Sequence, residues 1–293
     1  MLPCNLLNLI IQIRIMDILI KAARIAYGIM IAGLGAQQVF YASFRLVILP
    51  GIIFPGLTIC VYLFSAFFIL GGIAIAFDRK AKIIALILGT IFLAVFIFVQ
   101  IPYEIIADPY YKHMGSWAFA LKELVFAGGG FVVAGSYPAA AGSGQVQSPF
   151  ISFLEKIIPF GAAFMCITMI SFGIDHFLYA QGISALVPSW IPPGAMFWTY
   201  FAGTALIGAG IAIILRIQLR LAALLLASMI FLWFILLHIP RAIADPYSLK
   251  GNEVSSLLEA FGFSGIAYLI AIGYPRRRVL VARKEGLNPY WAN

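Results

Sequence analysis

Residues 57–77, with the sequence LTICVYLFSAFFILGGIAIAF, contain no charged side chain. A run of about 20 apolar residues is long enough to cross the hydrocarbon core of a bilayer as a helix. In lipid such a segment must satisfy its own backbone hydrogen bonds, which an α-helix does. This stretch therefore predicts a transmembrane helix, and similar runs recur along the chain.

The composition of the whole chain agrees with this pattern. Of its 293 residues, 63% are hydrophobic and 10% are charged, and the mean hydropathy is +1.03. A soluble domain carries about 25% charged residues, so this chain cannot cover itself with a charged surface. The composition excludes a soluble enzyme, a nucleic-acid-binding protein and a disordered scaffold. It predicts a multi-pass membrane protein whose first partner is the lipid bilayer.

Apolar runs of bilayer length predict an all-α bundle of eight transmembrane helices. The fourth run is the least regular, because Lys122 and Glu123 enter its first turns, and we expect these charges to reach the membrane interface. The N-terminal segment is interrupted by Arg14 and Asp17 and is expected to be a short interfacial segment. The eight runs are residues 22–44, 57–77, 83–104, 117–135, 157–181, 195–215, 221–243 and 254–274.

Small residues at helical spacing predict close packing between helices. Gly28, Ala32 and Ala36 form such a stripe on the first helix. Gly208 and Ala212 form a shorter one on the sixth, and both stripes are interpreted as packing surfaces.

Lysine and arginine indicate which helix ends face the cytoplasm, because cytoplasmic loops carry an excess of them. If the eight helices alternate in direction, 14 of the 19 basic residues fall on one side. This predicts a protein of the bacterial cytoplasmic membrane with both termini in the cytoplasm. The 14 residues are Arg14, Lys21, Arg24, Arg79, Lys80, Lys82, Lys156, Arg216, Arg220, Arg276, Arg277, Arg278, Arg283 and Lys284, and the others are Arg45, Lys112, Lys122, Arg241 and Lys250.

The chain also matches itself, at an offset of 138 residues that becomes 137 near the end of each half. Each half holds four helices, so both have the same orientation and are related by an axis along the membrane normal. The predicted domains are a first repeat (1–135), a cytoplasmic linker (136–152), and a second repeat with a basic tail (153–293). Matches include Tyr41-Ala42 with Tyr179-Ala180, Ile101-Pro102 with Ile239-Pro240, Asp108-Pro109 with Asp245-Pro246, and Tyr137-Pro138 with Tyr274-Pro275.

Ionisable side chains inside the predicted spans are candidate functional residues, because such groups are costly in lipid. They lie on the fifth, seventh and eighth helices of the second half. The fifth and seventh helices run outward and the eighth runs inward, so these side chains are expected to converge near the extracytoplasmic side. The candidate ligand-binding residues are Asp175, His176, Tyr179, His238, Arg241 and Glu259.

The first half has hydrogen-bonding residues but no imidazole at the matching positions. Gln38 and Gln100 stand where the second half has its two histidines. Pro102 and Pro240 each remove a backbone donor, which should loosen the helix near its outer end and help to open a pocket there.

The sequence leaves three interpretations of this cluster open. In the first, the arginine and the two carboxylates neutralise one another and the histidines bond between helices, so the cluster is architectural. In the second, imidazole and carboxylate groups exchange protons with a quinone head group, and Trp190, Trp198 or Trp233 offers an aromatic surface. In the third, His176 and His238 ligate a metal or a haem.

Common cofactor and catalytic motifs are missing from the sequence. It contains no P-loop, no HExxH, no GxSxG and no CxxC, and its three cysteines form no disulfide framework. No catalytic residue and no metal site is therefore assigned to the chain itself.

The second half carries marks of a known family, and residues 157–274 resemble the DoxX/DoxD family of bacterial membrane proteins. One four-helix unit of that family covers this segment, and the first half is similar to a degenerate copy with glutamine for histidine. The matching marks are His176 to Gln181, Val187-Pro188, Ile191-Pro192, the helix around Gly203–Gly210, Leu237-His238-Ile239-Pro240-Arg241, and the region of Glu259 and Gly265.

This resemblance implies a membrane redox association. The best-defined type in the family is the membrane subunit of a thiosulfate:quinone oxidoreductase, which works with a separate soluble subunit. By this resemblance the chain is an accessory or quinone-interacting component of a redox complex, with a quinone as its ligand and a redox subunit as its partner. The alternative function is a membrane transporter or a scaffold without redox activity.

Overall fold

The computed structural model describes the backbone of residues 4–50, 58–138 and 148–284, and side chains between residues 11 and 273 within those ranges, apart from Ile13. Every regular element in these ranges is a helix, and eight are long and apolar enough to cross a membrane. The predicted fold class and number of spans are therefore confirmed. The membrane helices are α1 (Cys4–Tyr41), α2 (Thr58–Ala76), α3 (Ala81–Ile106), α4 (Met114–Gly135), α5 (Pro149–Leu178), α6 (Ala195–Ile214), α7 (Leu219–Ala244) and α8 (Asn252–Lys284).

Two helices begin well before their predicted first residues. The segment containing Arg14 and Asp17 is not separate, because α1 runs without a break from Cys4 into the first span. Helix α5 starts at Pro149, inside the predicted linker 136–152, since proline suits the first turn of a helix. Residues 139–147 of that linker and the side chains of the basic tail lie outside the described residues.

Neighbouring helices pack in chain order, and the last helix packs against the first. Each helix from α1 to α7 contacts the next one, α8 returns to contact α1, and α4 also contacts α8. Each of these neighbour contacts in the first half has a counterpart in the second, and the contact of α4 with α5 corresponds to that of α8 with α1. Helices α4 and α8 thus lie at the centre, and they are the most buried of the eight spans.

Small residues allow the closest approach between helices. A Cβ added at Gly28 of α1 would lie 2.6 Å from the carbonyl oxygen of Gly72 on α2, and one added at Gly173 of α5 would lie 2.7 Å from that of Gly203 on α6. The predicted packing role of Gly28 is confirmed. The prediction for Gly208 was wrong, because a Cβ there would meet no atom within 4 Å.

A π-helical turn precedes the proline in both α3 and α7. These turns span Phe96–Gln100 and Phe234–His238, and Pro102 and Pro240 follow two residues later. Proline provides no backbone donor, and a wider turn accommodates the missing hydrogen bond. The loosening predicted from the prolines takes this form, and in α7 the wide turn ends on His238.

A polar network ties one end of the bundle together. Arg24 Nε donates to Ser136 Oγ at 2.8 Å, and its guanidinium lies 3.5 Å from the ring centroid of Tyr137. The Tyr137 hydroxyl donates to Asp78 Oδ1 at 2.6 Å. Burial, and next this bond to Asp78, raises the pKa of the Tyr137 hydroxyl above its usual value. The network joins α1, the turn between α2 and α3, and the end of α4.

Candidate ligand cavity within the membrane

A cavity of about 420 Å³ lies among α4, α5, α6, α7 and α8. This volume is within the usual range for small-molecule sites. Its walls are mostly apolar, and they include Phe172, Leu206 and Phe263. Four of the six predicted site residues line it, namely Asp175, His176, His238 and Glu259.

The two histidines enter the cavity from different helices. His176 Nδ1 lies 2.6 Å from the carbonyl oxygen of Phe172 on α5, and since a carbonyl only accepts, this nitrogen donates; in the neutral imidazole Nε2 then keeps its lone pair. His238 Nδ1 is buried, with no hydrogen-bond partner among the described residues. Over the same residues, no group of three or more His, Cys, Asp or Glu side chains is placed to hold a metal ion.

The two carboxylates of the cavity differ in their pairing. Glu259 Oε2 lies 2.7 Å from Lys122 Nζ, which reaches across from α4. Asp175 is 7% exposed, and its Oδ1 has no hydrogen-bond partner in the described part of the chain. One acid is thus neutralised by a lysine, and the other, whose residue lines the cavity, has a buried oxygen without a partner in the described part of the chain.

Arg241 was predicted to hold the carboxylates of the cavity, and this prediction was wrong. It forms a two-pronged pair with Glu253 of α8, with Nε to Oε2 at 2.9 Å and Nη2 to Oε1 at 2.6 Å. Arg241 lies at the end of α7, level with the first turn of α8. Glu259 lies six residues further along α8, about two turns deeper.

Tyr179 was also predicted at the site, but it does not line the cavity. Its hydroxyl instead accepts a hydrogen bond from the backbone N–H of Gly115, at 3.3 Å. The physical reason is local, because α5 ends at Leu178 and Tyr179 is not helical. The helical spacing that placed it one turn beyond Asp175 therefore no longer applies.

Lys122 is the cavity residue that the sequence analysis missed, having placed it at the interface. The next residue, Glu123, is fully buried, and neither of its carboxylate oxygens has a partner among the described residues. The interface prediction failed because α4 begins at Met114 and is a central helix, so both charges lie about two turns inside it. The sequence did contain a signal for the position of Lys122, because the offset of 137 residues between the two halves pairs it with Glu259.

Two of the three candidate tryptophans border the cavity. Trp198 and Trp233 both line it, with ring centroids 6.0 Å apart in an edge-to-face arrangement. The Trp198 indole N–H donates to the Pro192 carbonyl at 2.9 Å, which fixes the ring. Trp190 is exposed and does not line the cavity.

Side-chain volume explains why this cavity reaches the depth of Leu206 and Ile230 in the second half. The offset of 138 pairs its lining residues Leu206 and Ile230 with Phe68 and Phe92 of the first half. Both phenylalanines are fully buried, with centroids 5.2 Å apart. At this depth two aromatic rings fill the space in the first half. The smaller aliphatic side chains of the second half leave the equivalent space open.

The fold and this cavity define the class of protein, an eight-helix membrane protein with a ligand-sized cavity between its helices. Residues 165–256 match a family model described as "Domain of unknown function (DUF8561)". The matched segment includes His176 and His238, whereas Lys122 and Glu259 lie outside it. No curated protein and no solved structure matches the chain.

Proposed function

We propose that the chain binds a lipid-soluble quinone in this cavity, as an accessory component of a membrane redox complex. The observation that carries the proposal is the cavity itself, a mostly apolar volume of about 420 Å³ with two histidines and two acidic residues in its lining. Sites for small ligands combine apolar walls with a few polar groups that fix orientation. A quinone matches this, because its apolar tail carries a polar head group.

The polar groups suit both redox forms of a quinone head group. A quinone carbonyl accepts hydrogen bonds, and the His238 imidazole in the lining is able to donate one. A quinol hydroxyl donates, and a neutral His176 imidazole and the Asp175 carboxylate are able to accept. The rings of Trp198 and Trp233 provide an aromatic wall. The resemblance of residues 157–274 to the DoxX/DoxD family favours a quinone over other lipid-soluble ligands.

Electron transfer itself is assigned to a partner under this proposal. The chain has no nucleotide, haem-attachment or dithiol motif of its own. A soluble or membrane redox subunit would therefore supply or accept the electrons, and this chain would hold the head group, giving it protons as the quinone is reduced and taking them as the quinol is oxidised.

The binding test uses the purified full-length protein and decylubiquinone as the probe. We expect saturable quenching of tryptophan fluorescence, because two of the five tryptophans line the cavity. His176→Ala and His238→Ala should each weaken binding about tenfold, the equivalent of one good hydrogen bond. His113→Ala is the matched control, since this exposed histidine does not line the cavity and should leave the affinity unchanged.

Two results would contradict the quinone proposal. One is the absence of saturable binding by decylubiquinone. The other is equal affinity in all three histidine variants, which would place the probe elsewhere on the protein. Either result would favour the alternative function, a transporter or scaffold without a redox ligand.

We also propose that the chain arose by tandem duplication and lies in a bacterial cytoplasmic membrane with both termini inside. The division of basic residues supports this orientation. Lys80 and Lys112 lie in turns at opposite ends of the helices, and the test replaces each of them with cysteine. A membrane-impermeant maleimide added to intact cells should label the Lys112 variant and spare the Lys80 variant, with the unsubstituted chain as the background. Reversed labelling would overturn the orientation.

A further inference from the structure

A second cavity, of about 470 Å³, lies in the first half of the bundle beside the turn after α1 and the start of α8. Its position corresponds to that of the first cavity. The offset of 138 pairs its lining residues Arg45 and Val61 with Ile183 and Thr199, which line the first cavity. Glu259 lines both cavities, so this residue lies between them.

The second cavity is cationic where the first has imidazoles. Arg45 is 6% exposed, and its Nε is buried with no hydrogen-bond partner among the described residues. Its Nη1 donates to the backbone carbonyl of Lys250, whose side chain is exposed at the rim. Among the described lining residues the acid is Glu259, which pairs with Lys122 and also attracts Arg45. Two cationic residues, Arg45 and Lys250, therefore line this cavity, and its one described acid is shared with Lys122.

Further donors lie in the same wall. Helix α8 begins at Asn252, which lines the cavity, and the N-terminus of a helix carries a partial positive charge. Ser43 lines it as well, and its hydroxyl is buried without a partner within the described ranges. Phe44 and Phe119 add apolar surface.

We propose that this second cavity binds an oxyanion, a phosphate or carboxylate group, through Arg45, Lys250 and the start of α8. The Arg45 guanidinium supplies charge-assisted hydrogen bonds, which are stronger than bonds between neutral groups. The exposed Lys250 adds a second charge at the rim. The oxyanion belongs either to the head group of an acidic lipid, whose chains would contact the apolar wall, or to a small free anion. This site is separate from the quinone cavity and does not depend on quinone binding.

The test measures binding of two probes to the full-length protein in a non-ionic detergent. Inorganic phosphate is titrated by calorimetry, and phosphatidylglycerol is compared with phosphatidylcholine by native mass spectrometry. We expect saturable binding of phosphate, of phosphatidylglycerol in preference to phosphatidylcholine, or of both. Binding of phosphate identifies a free oxyanion as a ligand, and binding of phosphatidylglycerol alone identifies a lipid head group.

Four variants assign the binding to the cavity. Arg45→Gln should weaken binding about tenfold or more, and Arg45→Lys should restore part of it, because the charge returns without the planar guanidinium. Lys250→Gln should weaken it severalfold. Lys112→Gln is the matched control, since it removes an exposed charge from a turn on the same side of the bundle but outside the cavity.

Two outcomes would overturn this proposal. One is that neither probe binds saturably to the wild-type protein. The other is that the cavity variants bind as the Lys112 variant does. If Arg45→Gln does not fold, Lys250→Gln decides, because its exposed side chain can be replaced while the backbone carbonyl that Arg45 uses is kept.

Discussion

Lys122 of α4 and Glu259 of α8 form an ion pair of 2.7 Å between the two central helices. The offset of 137 pairs these two positions, so the halves of the chain contribute opposite charges at equivalent places. Side chains buried at this depth have little water to solvate them, and each charge depends on the other. Because Glu259 also lines both cavities, this pair stands at their common wall.

Breaking this pair should destabilise the protein. Glu259→Gln leaves the Lys122 ammonium without its partner, and we expect a loss of about 3 kcal/mol in the free energy of unfolding. The double exchange Lys122→Glu with Glu259→Lys should recover most of that loss. Thermal unfolding in detergent measures both variants. Equal losses in the single variant and in the exchange would show that the two residues do not depend on each other.

Filling the cavity should weaken quinone binding. Leu206→Phe places in the second half the side chain that occupies the equivalent position of the first half. The added ring takes up volume in the cavity, so the affinity for decylubiquinone should fall about tenfold or more. Leu221→Phe, on an exposed leucine of α7 that does not line the cavity, is the control for added aromatic surface. Undiminished affinity in Leu206→Phe would place the ligand outside this cavity.

Removing Arg241 should affect stability but not ligand binding. Its pair with Glu253 is partly exposed, with a side-chain exposure of 35% for the arginine, so Arg241→Gln should cost about 1 kcal/mol. The residue does not line the cavity, and the affinity for decylubiquinone should stay unchanged. A tenfold loss of affinity in the fluorescence titration would restore Arg241 to the binding site.

The Tyr137 hydroxyl should make stability depend on pH in the alkaline range. Its pKa is raised in the folded state, so its contribution is fully present below its ordinary value of 10.0 and declines as the pH rises above that value. The melting temperature of the wild type should therefore exceed that of Tyr137→Phe at pH 8, and the difference should shrink above pH 10. Tyr110→Phe, on an exposed side chain, is the control. If the difference in melting temperature stayed constant above pH 10, the Tyr137 hydroxyl would not be the source of this pH dependence.

Replacing Glu123 should stabilise the protein. Its carboxylate is fully buried, and neither oxygen has a partner among the described residues. An unsatisfied buried polar group costs about 1–3 kcal/mol, so Glu123→Leu, which keeps a similar volume, should raise the unfolding free energy by about that amount. Glu259→Leu, at the carboxylate that pairs with Lys122, should lower the unfolding free energy. A destabilised Glu123→Leu would reveal a partner for this carboxylate.

The site residues show how far helical periodicity reaches. Asp175, His176, His238 and Glu259 were predicted to converge and all line one cavity, since each lies on a long regular helix whose direction follows from the alternation of spans. Tyr179 and Lys122 were misplaced, because their positions depend on where α5 ends and where α4 begins. Apolar runs define such boundaries to within several residues only.

The sequence alone determined that this chain is a bundle of eight membrane helices, because a long apolar run in lipid has few alternatives to a helix. It also placed the histidines and carboxylates at one depth. Only the tertiary structure decided which charges pair, so that Lys122 meets Glu259 and Arg241 meets Glu253. Pairing and cavities depend on the distance between helices and on the volume of facing side chains, such as Phe68 against Leu206, and these arise only when the helices pack.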